Sequence, residues 1–154
     1  MIRDIARAKS AWQFVLIGPV WEGALENRLI AELRALKNIS MPGHIPYEQL
    51  PTYLYEADAL VIPYVLNDAT RAVFPLKLFE YLATGKPVVA SQLPSLRPYE
   101  GAVRLADSKD EWIAALEASL RDPHEMEDQR RRLAKRHTWE GRLRKMEKQI
   151  APLL

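Results

Sequence analysis

The sequence predicts an α/β protein: a Rossmann-like, doubly wound parallel sheet of about five strands flanked by helices. Short, almost wholly apolar runs recur along the chain, which is typical of parallel strands covered on both faces. Amphipathic segments of helical period separate these runs, and such alternation favours parallel pairing. No internal repeat or low-complexity tract interrupts the pattern, so the 154 residues are predicted to form a single domain, residues 1–154.

Five strands are predicted, each ending at glycine, proline or polar residues. They are Trp12–Ile17, Ile39–Met41, Ala59–Pro63, Pro87–Ala90 and Ala102–Leu105. Helices are predicted over residues 2–9, from Leu25 to Leu36, over Tyr47–Glu56, from Pro75 to Gly85, and around Trp112, Leu116 and Leu120. Residues 121–154 are predicted to form C-terminal helices, over 124–136 and from Trp139 onward, the last with Leu143, Met146 and Ile150 on one face.

The composition excludes several classes of protein. Hydrophobic residues make up 48% and charged residues 27%, as in an ordinary globular domain. The absence of cysteine excludes disulfides, thiol nucleophiles and cysteine metal sites. A net charge of +2 does not indicate a nucleic-acid partner, and the run Arg130–Arg132 is interpreted as a solvated helix face. No apolar run approaches the ~20 residues of a membrane helix, so at most peripheral membrane contact is expected.

The strongest candidate site is the predicted helix start at Pro75. Proline suits a first helical position because its missing N–H would have no partner there. The first-turn amides of Leu76, Lys77 and Leu78 would also lack partners, and with the helix dipole they would attract an anion such as phosphate. Lys77 adds a full positive charge, and Glu80, roughly 4 to 5 Å further along the axis, could accept hydrogen bonds from a sugar diol.

One other interpretation of this helix remains open at this point. Lys77 and Glu80 could be a solvated i, i+3 ion pair on an ordinary helix, worth a few tenths of a kcal/mol. The apolar face is predicted to hold Leu76, Phe79 and Leu82 or Ala83, opposite Lys77, Glu80 and Thr84.

Open α/β sheets bind ligands beyond the carboxyl ends of their strands, which are predicted at Gly18–Glu22, Gly43–Ile45, Tyr64–Arg71 and Ser91–Ser95.

The segment from Phe74 to Ser91 resembles the nucleotide-sugar motif of retaining glycosyltransferases with the GT-B fold, of the group known as family 4 or group 1. Glu80, Gly85, Pro87 and Val88 match that motif. The resemblance implies that Glu80 binds the nucleotide ribose and that the turn before it faces the donor diphosphate. Of the family's two glutamates eight positions apart, the first falls on Ala72, and we expect Arg71 or Lys77 to take over part of the anion binding.

The resemblance extends over nearly the whole chain. Gly43–Tyr55 resembles the family segment in which a glycine loop precedes a helix, and Thr138–Glu140 resembles the start of its C-terminal helix. It implies that Gly43, His44 and Ile45 lie near the nucleotide base, although His44 could equally be a turn histidine bonded to backbone or water. Gly18 is a further candidate for donor binding, with a role in the turn as the alternative. Pro75 and Leu76 are the remaining candidates for binding the donor nucleotide.

The function implied by the resemblance is donor binding in a hexosyltransferase. Such an enzyme transfers a hexose from a UDP- or GDP-sugar to a polysaccharide or glycolipid acceptor, in polysaccharide biosynthesis and in the cytoplasm. Lys77 and Arg71 would stabilise the charge that develops on the diphosphate. No cofactor is expected beside the nucleotide-sugar, which is the substrate. No metal is expected either, because His44, His124 and His137 lie far apart and no Asp-x-Asp signature is present.

The resemblance also implies missing parts. The family's N-terminal Rossmann-like domain, which supplies most of the acceptor site, has no counterpart in the sequence, nor has the first strand of the C-terminal half. The domain is therefore expected to be inactive without that domain or a partner chain. The alternative function is a non-catalytic nucleotide-binding or assembly module, favoured by Ala72 and by the absent strand. The sheet would then have an unfilled central position, which favours a homo-oligomer or a partner.

Overall fold

The computed structural model describes residues 1–20 and 27–151. Its strands are β1 (Phe14–Ile17), β2 (Ile39–Gly43), β3 (Leu60–Ile62), β4 (Val88–Ser91) and β5 (Arg104–Ala106). Its helices are α1 (Ile2–Ala8), α2 (Asn27–Arg34), α3 (Leu50–Glu56), α4 (Asp68–Arg71), α5 (Lys77–Thr84), α6 (Lys109–Ser119), α7 (His124–Lys135) and α8 (Trp139–Ile150), with 3-10 turns at Tyr47–Gln49 and Pro94–Tyr99. The predicted fold class is confirmed: five strands alternate with helices in a Rossmann-like α/β domain.

The five strands form two sheets rather than one. β1 pairs with β2, and β4 pairs with both β3 and β5; every pairing is parallel. No ladder joins β1 or β2 to the other three strands within the described residues. We call β1 and β2 with α1 and α2 the first half, and β3 to β5 with the helices that follow β2 the second half. Among the described residues, the strands therefore pair as one two-stranded and one three-stranded parallel sheet.

The sheet of the second half is covered on both faces, as doubly wound topology requires. Leu60, Ile62, Val88 and Ala90 contribute to a cluster with Leu78 and Leu82 of α5 and Leu96 of the second 3-10 turn. The alternate residues Val89 and Val61 point the other way, toward a cluster formed by Ile5 of α1 and Trp112 and Leu116 of α6. This alternation follows from the period of two along a strand.

Buried charge holds the second half together, and here the sequence interpretation of Arg130–Arg132 is wrong in part. Arg130 is only 2% exposed. Its guanidinium bonds the carboxylate of Asp122 and donates to the carbonyls of Ala102 at 3.3 Å and Gly85 at 3.2 Å. Arg104 donates to the same carboxylate at 3.0 and 2.5 Å. Of the three, Arg132 alone is exposed, and Arg131 is partly buried.

These two arginines also govern the ionisation of Asp122. Burial is the largest single effect and acts to raise the pKa of its carboxyl group. The hydrogen bonds and charges of Arg104 and Arg130 together outweigh burial, so the pKa lies below its ordinary value. Asp122 is therefore ionised at neutral pH and belongs to a satisfied buried network.

The first half is held by different contacts. The amide nitrogen of Asn38 lies 3.0 Å from the carbonyl oxygens of Ala6 and Trp12 and 3.3 Å from that of Lys9, so it satisfies the carbonyls at the end of α1. Glu32 of α2 accepts from Arg3 and Arg7 of α1 at 2.9 and 3.2 Å. Lys9 pairs with Glu117, which connects α1 to α6.

Three local predictions differ from the structure. The predicted loop at 64–73 contains α4, and the proline-rich connection forms a 3-10 turn over Pro94–Tyr99. The apolar face of α5 holds Leu78 and Leu82, both fully buried, whereas Leu76 is 56% exposed and Thr84 is buried rather than solvated. Leu78 and Leu82 are four residues apart and share the face of α5 that packs against β3 and β4. The predicted start of α2 at Leu25 lies outside the described residues.

Candidate functional site

The predicted anion site corresponds to the first turn of α5. The helix begins at Lys77 with Leu76 as its N-cap, two residues later than predicted. The Leu78 amide donates to the Pro75 carbonyl at 2.9 Å and the Phe79 amide to that of Leu76 at 3.4 Å. Of the three amides predicted to be available, that of Leu78 is therefore occupied. The amides of Leu76 and Lys77 have no acceptor among the described residues. Pro75 is fully buried and supports the turn from beneath.

Three charged side chains lie in or before this turn: Lys77 and Glu80 in α5, and Arg71 at the end of α4. Arg71, Lys77 and Glu80 are all exposed, and none forms an ion pair with any described residue. The alternative of a Lys77–Glu80 ion pair is thus not realised in the structure. Burial first, and then the charge of the adjacent Glu80, raises the pKa of Tyr81, so its phenol is neutral beside that carboxylate. Two cations and one carboxylate therefore remain available to a ligand at one helix start.

Several contacts hold the C-terminal end of α5 and so fix the orientation of the helix. Gly85 adopts the left-handed conformation with φ of 81°, and a Cβ there would clash with the side chain of Glu127. Arg130 and Arg131 donate to the last carbonyls of the helix, those of Gly85 and Thr84, at 3.2 and 3.1 Å. Cations at a helix C-terminus complement its dipole. The chain thus anchors α5 at its end and leaves its start exposed.

Two serine side chains position the segment before α5. Ser91, the last residue of β4, donates to the Tyr64 carbonyl at 2.6 Å, and Ser95 donates to that of Val73 at 2.7 Å. These bonds secure both ends of the segment that carries Arg71. Sequence reasoning placed 91–95 at a strand end but assigned the serines no role. The signal that could have found them is a hydroxyl residue directly after an apolar strand.

An arginine beside α5 was also missed. The guanidinium carbon of Arg142, in α8, lies 5.2 Å from the ring centroid of Phe79 and 6.0 Å from that of Phe74. The same guanidinium lies 5.7 Å from the ring of Trp139. Cations at such distances are attracted to aromatic faces. These contacts pack the start of α8 next to the first turn of α5, a tertiary arrangement that sequence spacing does not reveal.

The second group of predicted residues follows β1 and β2. Gly18 and Gly43 have φ angles of 136° and 79°, which L side chains rarely adopt, and the Gly18 amide donates to the Gly43 carbonyl at 2.9 Å. A Cβ at either position would meet nothing within 4 Å, so space is open beside both. His44 is exposed and Ile45 partly buried. The remainder of the predicted edge, residues 21 and 22, lies outside the described residues.

The structure does not join the two groups into one enclosed site. No hydrogen bond or ion pair connects residues 43–45 to residues 71–80 within the described ranges. Two surface clefts of about 370 and 420 Å³ lie elsewhere, near Arg97 and near His124, and none of the predicted donor-binding residues lines either. Residues 1–20 and 27–151 contain no cluster of His, Asp or Glu suited to a metal ion. Neither of these two clefts therefore corresponds to the predicted donor site.

Fold and site together define a class: a Rossmann-like α/β domain with unpaired cations at a helix start near the carboxyl end of a strand. Comparison with known proteins makes this specific. The model of the family described as "Glycosyl transferases group 1" matches residues 1–122. The chain therefore belongs to the group 1 glycosyl transferases, as the resemblance in the sequence predicted.

Two relatives place the chain within larger proteins. It is 34% identical, over 145 residues, to the putative teichuronic acid biosynthesis glycosyltransferase TuaH of Bacillus subtilis (strain 168). That match includes 90% of this chain and 36% of TuaH. The crystal structure of AviGT4, a glycosyltransferase involved in avilamycin A biosynthesis, superposes with a TM-score of 0.54 at 19% identity, over 91% of this chain and 45% of AviGT4. The chain thus spans less than half the length of either relative. A separate finding concerns membranes: among the described residues, every helix is too short or too polar to span one.

Proposed function

We propose that this domain binds the nucleotide-sugar donor of a glycosyltransferase that transfers a hexose from a UDP- or GDP-sugar to a polysaccharide or glycolipid acceptor. The observation that carries the proposal is the exposed first turn of α5, with Lys77, Arg71 and Glu80 unpaired among the described residues. Exposed charge of both signs at one helix start suits a phosphate beside a sugar diol.

The proposed roles follow from the positions of the side chains. Lys77 and Arg71, with the free amides of Leu76 and Lys77, would bind the diphosphate and stabilise the charge that builds on it as the glycosidic bond breaks. Glu80 would accept hydrogen bonds from the ribose. Gly18, Gly43, His44 and Ile45 would lie near the base, where the absence of side chains at the glycines leaves room for a ring. The nucleotide-sugar would be the substrate, and the location would be the cytoplasm.

The positions of the two surface clefts also bear on whether the isolated domain can transfer sugar. Small-molecule sites are usually concave and bury most of the ligand. Since the predicted residues line neither described cleft, a second surface must complete the site. We therefore propose that the isolated domain binds nucleotide weakly and transfers sugar only together with an acceptor domain or partner chain.

The test is an amide NMR titration of the chain with UDP and with GDP. Saturable shifts at residues 43–45 and 71–80 are expected, with one nucleotide binding more tightly than the other. Lys77→Gln and Glu80→Ala should each weaken binding at least about tenfold, since each removes a charged hydrogen bond. Lys135→Gln, which removes an exposed lysine of α7, is the matched control and should leave binding unchanged. No shifts with either nucleotide at millimolar concentration would refute a self-sufficient donor site.

A second function is favoured by two observations. Ala72 stands where the family has the first of its two glutamates, and the two sheets remain separate. Both features would suit a non-catalytic nucleotide-binding or assembly module. In that case nucleotide would bind, but the complex with an acceptor domain would release no sugar from UDP- or GDP-hexose, which a transfer assay measures directly.

A further inference from the structure

The cleft of about 420 Å³ lies at the amino ends of β3 and β4, next to the C-terminal end of α5. Asp58 precedes β3, Lys86 and Pro87 precede β4, and all three line the cleft. Since β3 and β4 pair in parallel, their amino ends meet at one edge of the sheet. The donor site is proposed at the opposite edge, where the strands end. The cleft is therefore separate from the residues that the proposed function uses.

The buried part of the cleft wall is polar and held in place. Thr84, Ser119 and Arg130 line the cleft and are 5%, 1% and 2% exposed. The Thr84 hydroxyl donates to the Tyr81 carbonyl at 2.6 Å and accepts from the Lys86 amide at 3.1 Å. A wall of fixed polar groups is typical of small-molecule sites, which are largely formed before the ligand arrives.

Several groups of this wall have unused capacity for hydrogen bonds. The Ser119 hydroxyl accepts from Arg104 at 3.3 Å, but its own proton has no acceptor among the described residues. Asp58 and Lys86 form no ion pair, and the phenol of Tyr55 no hydrogen bond, with any described residue. One carboxylate, one ammonium group and two hydroxyls thus line the cleft without a full set of partners.

The other charged side chains of the cleft interact with one another. Arg131 pairs with Glu127 at 2.5 Å, and Arg130 pairs with Asp122. The Nδ1 atom of His124 lies 3.9 Å from the Glu127 carboxylate. What remains unpaired is one carboxylate and one ammonium group, whose charges balance. A charged ligand needs a complementary excess of charge, so this cleft favours an uncharged one.

Tyr55 adds an aromatic surface to these polar groups. It lines the cleft and is 55% exposed. The face of an aromatic ring is electron-rich and attracts C–H groups, such as those on one face of a pyranose ring. The hydroxyls of a sugar both donate and accept hydrogen bonds, which suits the mixed groups of Asp58, Lys86 and Ser119. An exposed ring beside balanced polar groups therefore fits an uncharged sugar.

We propose that this cleft is a second carbohydrate site, which holds an uncharged pyranose unit against Tyr55 and the polar groups of Asp58, Lys86 and Ser119. The assignment of that unit to the acceptor rests on the proposed function, in which the acceptor is a polysaccharide or glycolipid. A glycan held here by a sugar distant from its reacting end raises the effective concentration of that end near the enzyme.

The experiment is an amide NMR titration of the 154-residue chain with methyl α- and methyl β-D-glucopyranoside. Saturable shifts are expected at Tyr55, at Ser119 and over residues 84–87 at millimolar sugar, with none over residues 71–80. Sorbitol, which has hydroxyls but no ring, is the control for non-specific effects and should cause no saturable shift. Methyl β-D-glucuronide, which adds a negative charge to the same ring, should bind more weakly than the uncharged sugar.

Matched variants test the contact with the aromatic ring. Tyr55→Ala should weaken sugar binding at least about tenfold, whereas Tyr55→Phe keeps the ring and should bind within about threefold of the unaltered chain. Tyr53→Ala is the control, because Tyr53 is also exposed on α3 but does not line the cleft. Asp58→Ala removes an exposed carboxylate of the cleft and should also weaken binding. Circular dichroism checks that each variant is folded.

Four outcomes would overturn the proposal. They are no saturable shift at the cleft with either glucopyranoside, equal shifts with sorbitol, tighter binding of the glucuronide, and unchanged binding after Tyr55→Ala. Failure of the donor proposal is distinguished by the separate titrations with UDP and GDP. Sugar shifts at the cleft without nucleotide shifts at 71–80 would support this site and count against the donor site alone.

Discussion

Strands β1 and β4 are both four residues long, and β1 is the more apolar of the two, yet the structure treats them differently. Every residue of β4 is buried, whereas Val15 of β1 is 51% exposed and its three neighbours are only partly buried. β4 has a strand on each side and helices on both faces, while β1 has a strand on one side only. Burial therefore follows the number of neighbours a strand has rather than its hydrophobicity.

The two halves also differ in how charge supports them. The second half contains a buried network in which Arg130 and Arg104 share Asp122. The first half is joined to its surroundings by partly exposed ion pairs such as Arg3–Glu32 and Lys9–Glu117. Exposed pairs contribute about 0–1 kcal/mol, but breaking a buried pair leaves an unpaired charge. We therefore expect substitutions to be far more damaging in the second half.

The largest effect is expected for Arg130→Met. It would leave the Asp122 carboxylate with a single partner and free the carbonyls of Ala102 and Gly85, at a cost of about 3–5 kcal/mol in the free energy of unfolding. Urea denaturation measures this. Arg132→Met, two residues away and solvated, is the control and should change stability by less than about 0.5 kcal/mol. Equal effects of the two substitutions would contradict the buried network.

The same substitution in β1 and in β4 tests whether the two strands differ in burial. Val89→Ala removes two methyl groups from a fully buried site and should cost about 2–3 kcal/mol. Val15→Ala removes the same atoms from a half-exposed site and should cost less than about 1 kcal/mol. Thermal or urea unfolding of both variants gives the difference, and a cost at Val15 as large as that at Val89 would mean that β1 is covered in solution.

A smaller and more local effect is expected in the first half. Asn38→Ala leaves the carbonyls of Ala6 and Trp12 without a protein donor and should cost about 1–2 kcal/mol. Because the lost bonds lie in the first half, hydrogen exchange should accelerate in α1 and β1 but not in β4. Gln13→Ala, at an exposed neighbouring position, should change neither. Uniform acceleration through both halves would show instead that the domain opens as one unit.

The smallest effect is expected from acidification, which protonates the Asp122 carboxylate and removes no atom from the protein. The pKa of Asp122 is held below its ordinary 3.8 in the folded state, so its contribution to stability is fully present above that value. The contribution should be lost as the pH falls below 3.8 and through the lower, folded-state pKa. Unfolding measured from pH 6 to pH 2 should show this loss, and Asp122→Asn should remove that part of the pH dependence while lowering stability at pH 6.

Much of the fold follows from local pattern. The five strands and the long helices were predicted because apolar runs and helical periods are written in neighbouring residues, as in β4 and α8. The start of α5 was placed two residues early because the Leu78 amide bonds the Pro75 carbonyl in a tight turn that proline statistics do not anticipate. The capping box of Asn67 and Thr70, which starts α4, was a readable signal that the loop assignment overlooked.

The candidate site was predicted less completely than the fold. Lys77 and Glu80 were identified from residue type and spacing and Arg71 from the family resemblance, and the structure leaves all three exposed. The serines at 91 and 95 and Arg142 were missed, because each acts on a residue more than twenty positions away in the chain. Contacts of that separation depend on how strands and helices stack, which no local pattern encodes.

By itself, the sequence determined the order of strands and helices, the parallel α/β class, and the charged segment at Lys77. Each of these depends on the conformational preferences of a few consecutive residues. Only the tertiary structure decided that Arg130 is buried, that Val15 is exposed, and that the described strands pair as two separate sheets. The physical reason is that burial and edge pairing are properties of neighbours brought together from distant parts of the chain.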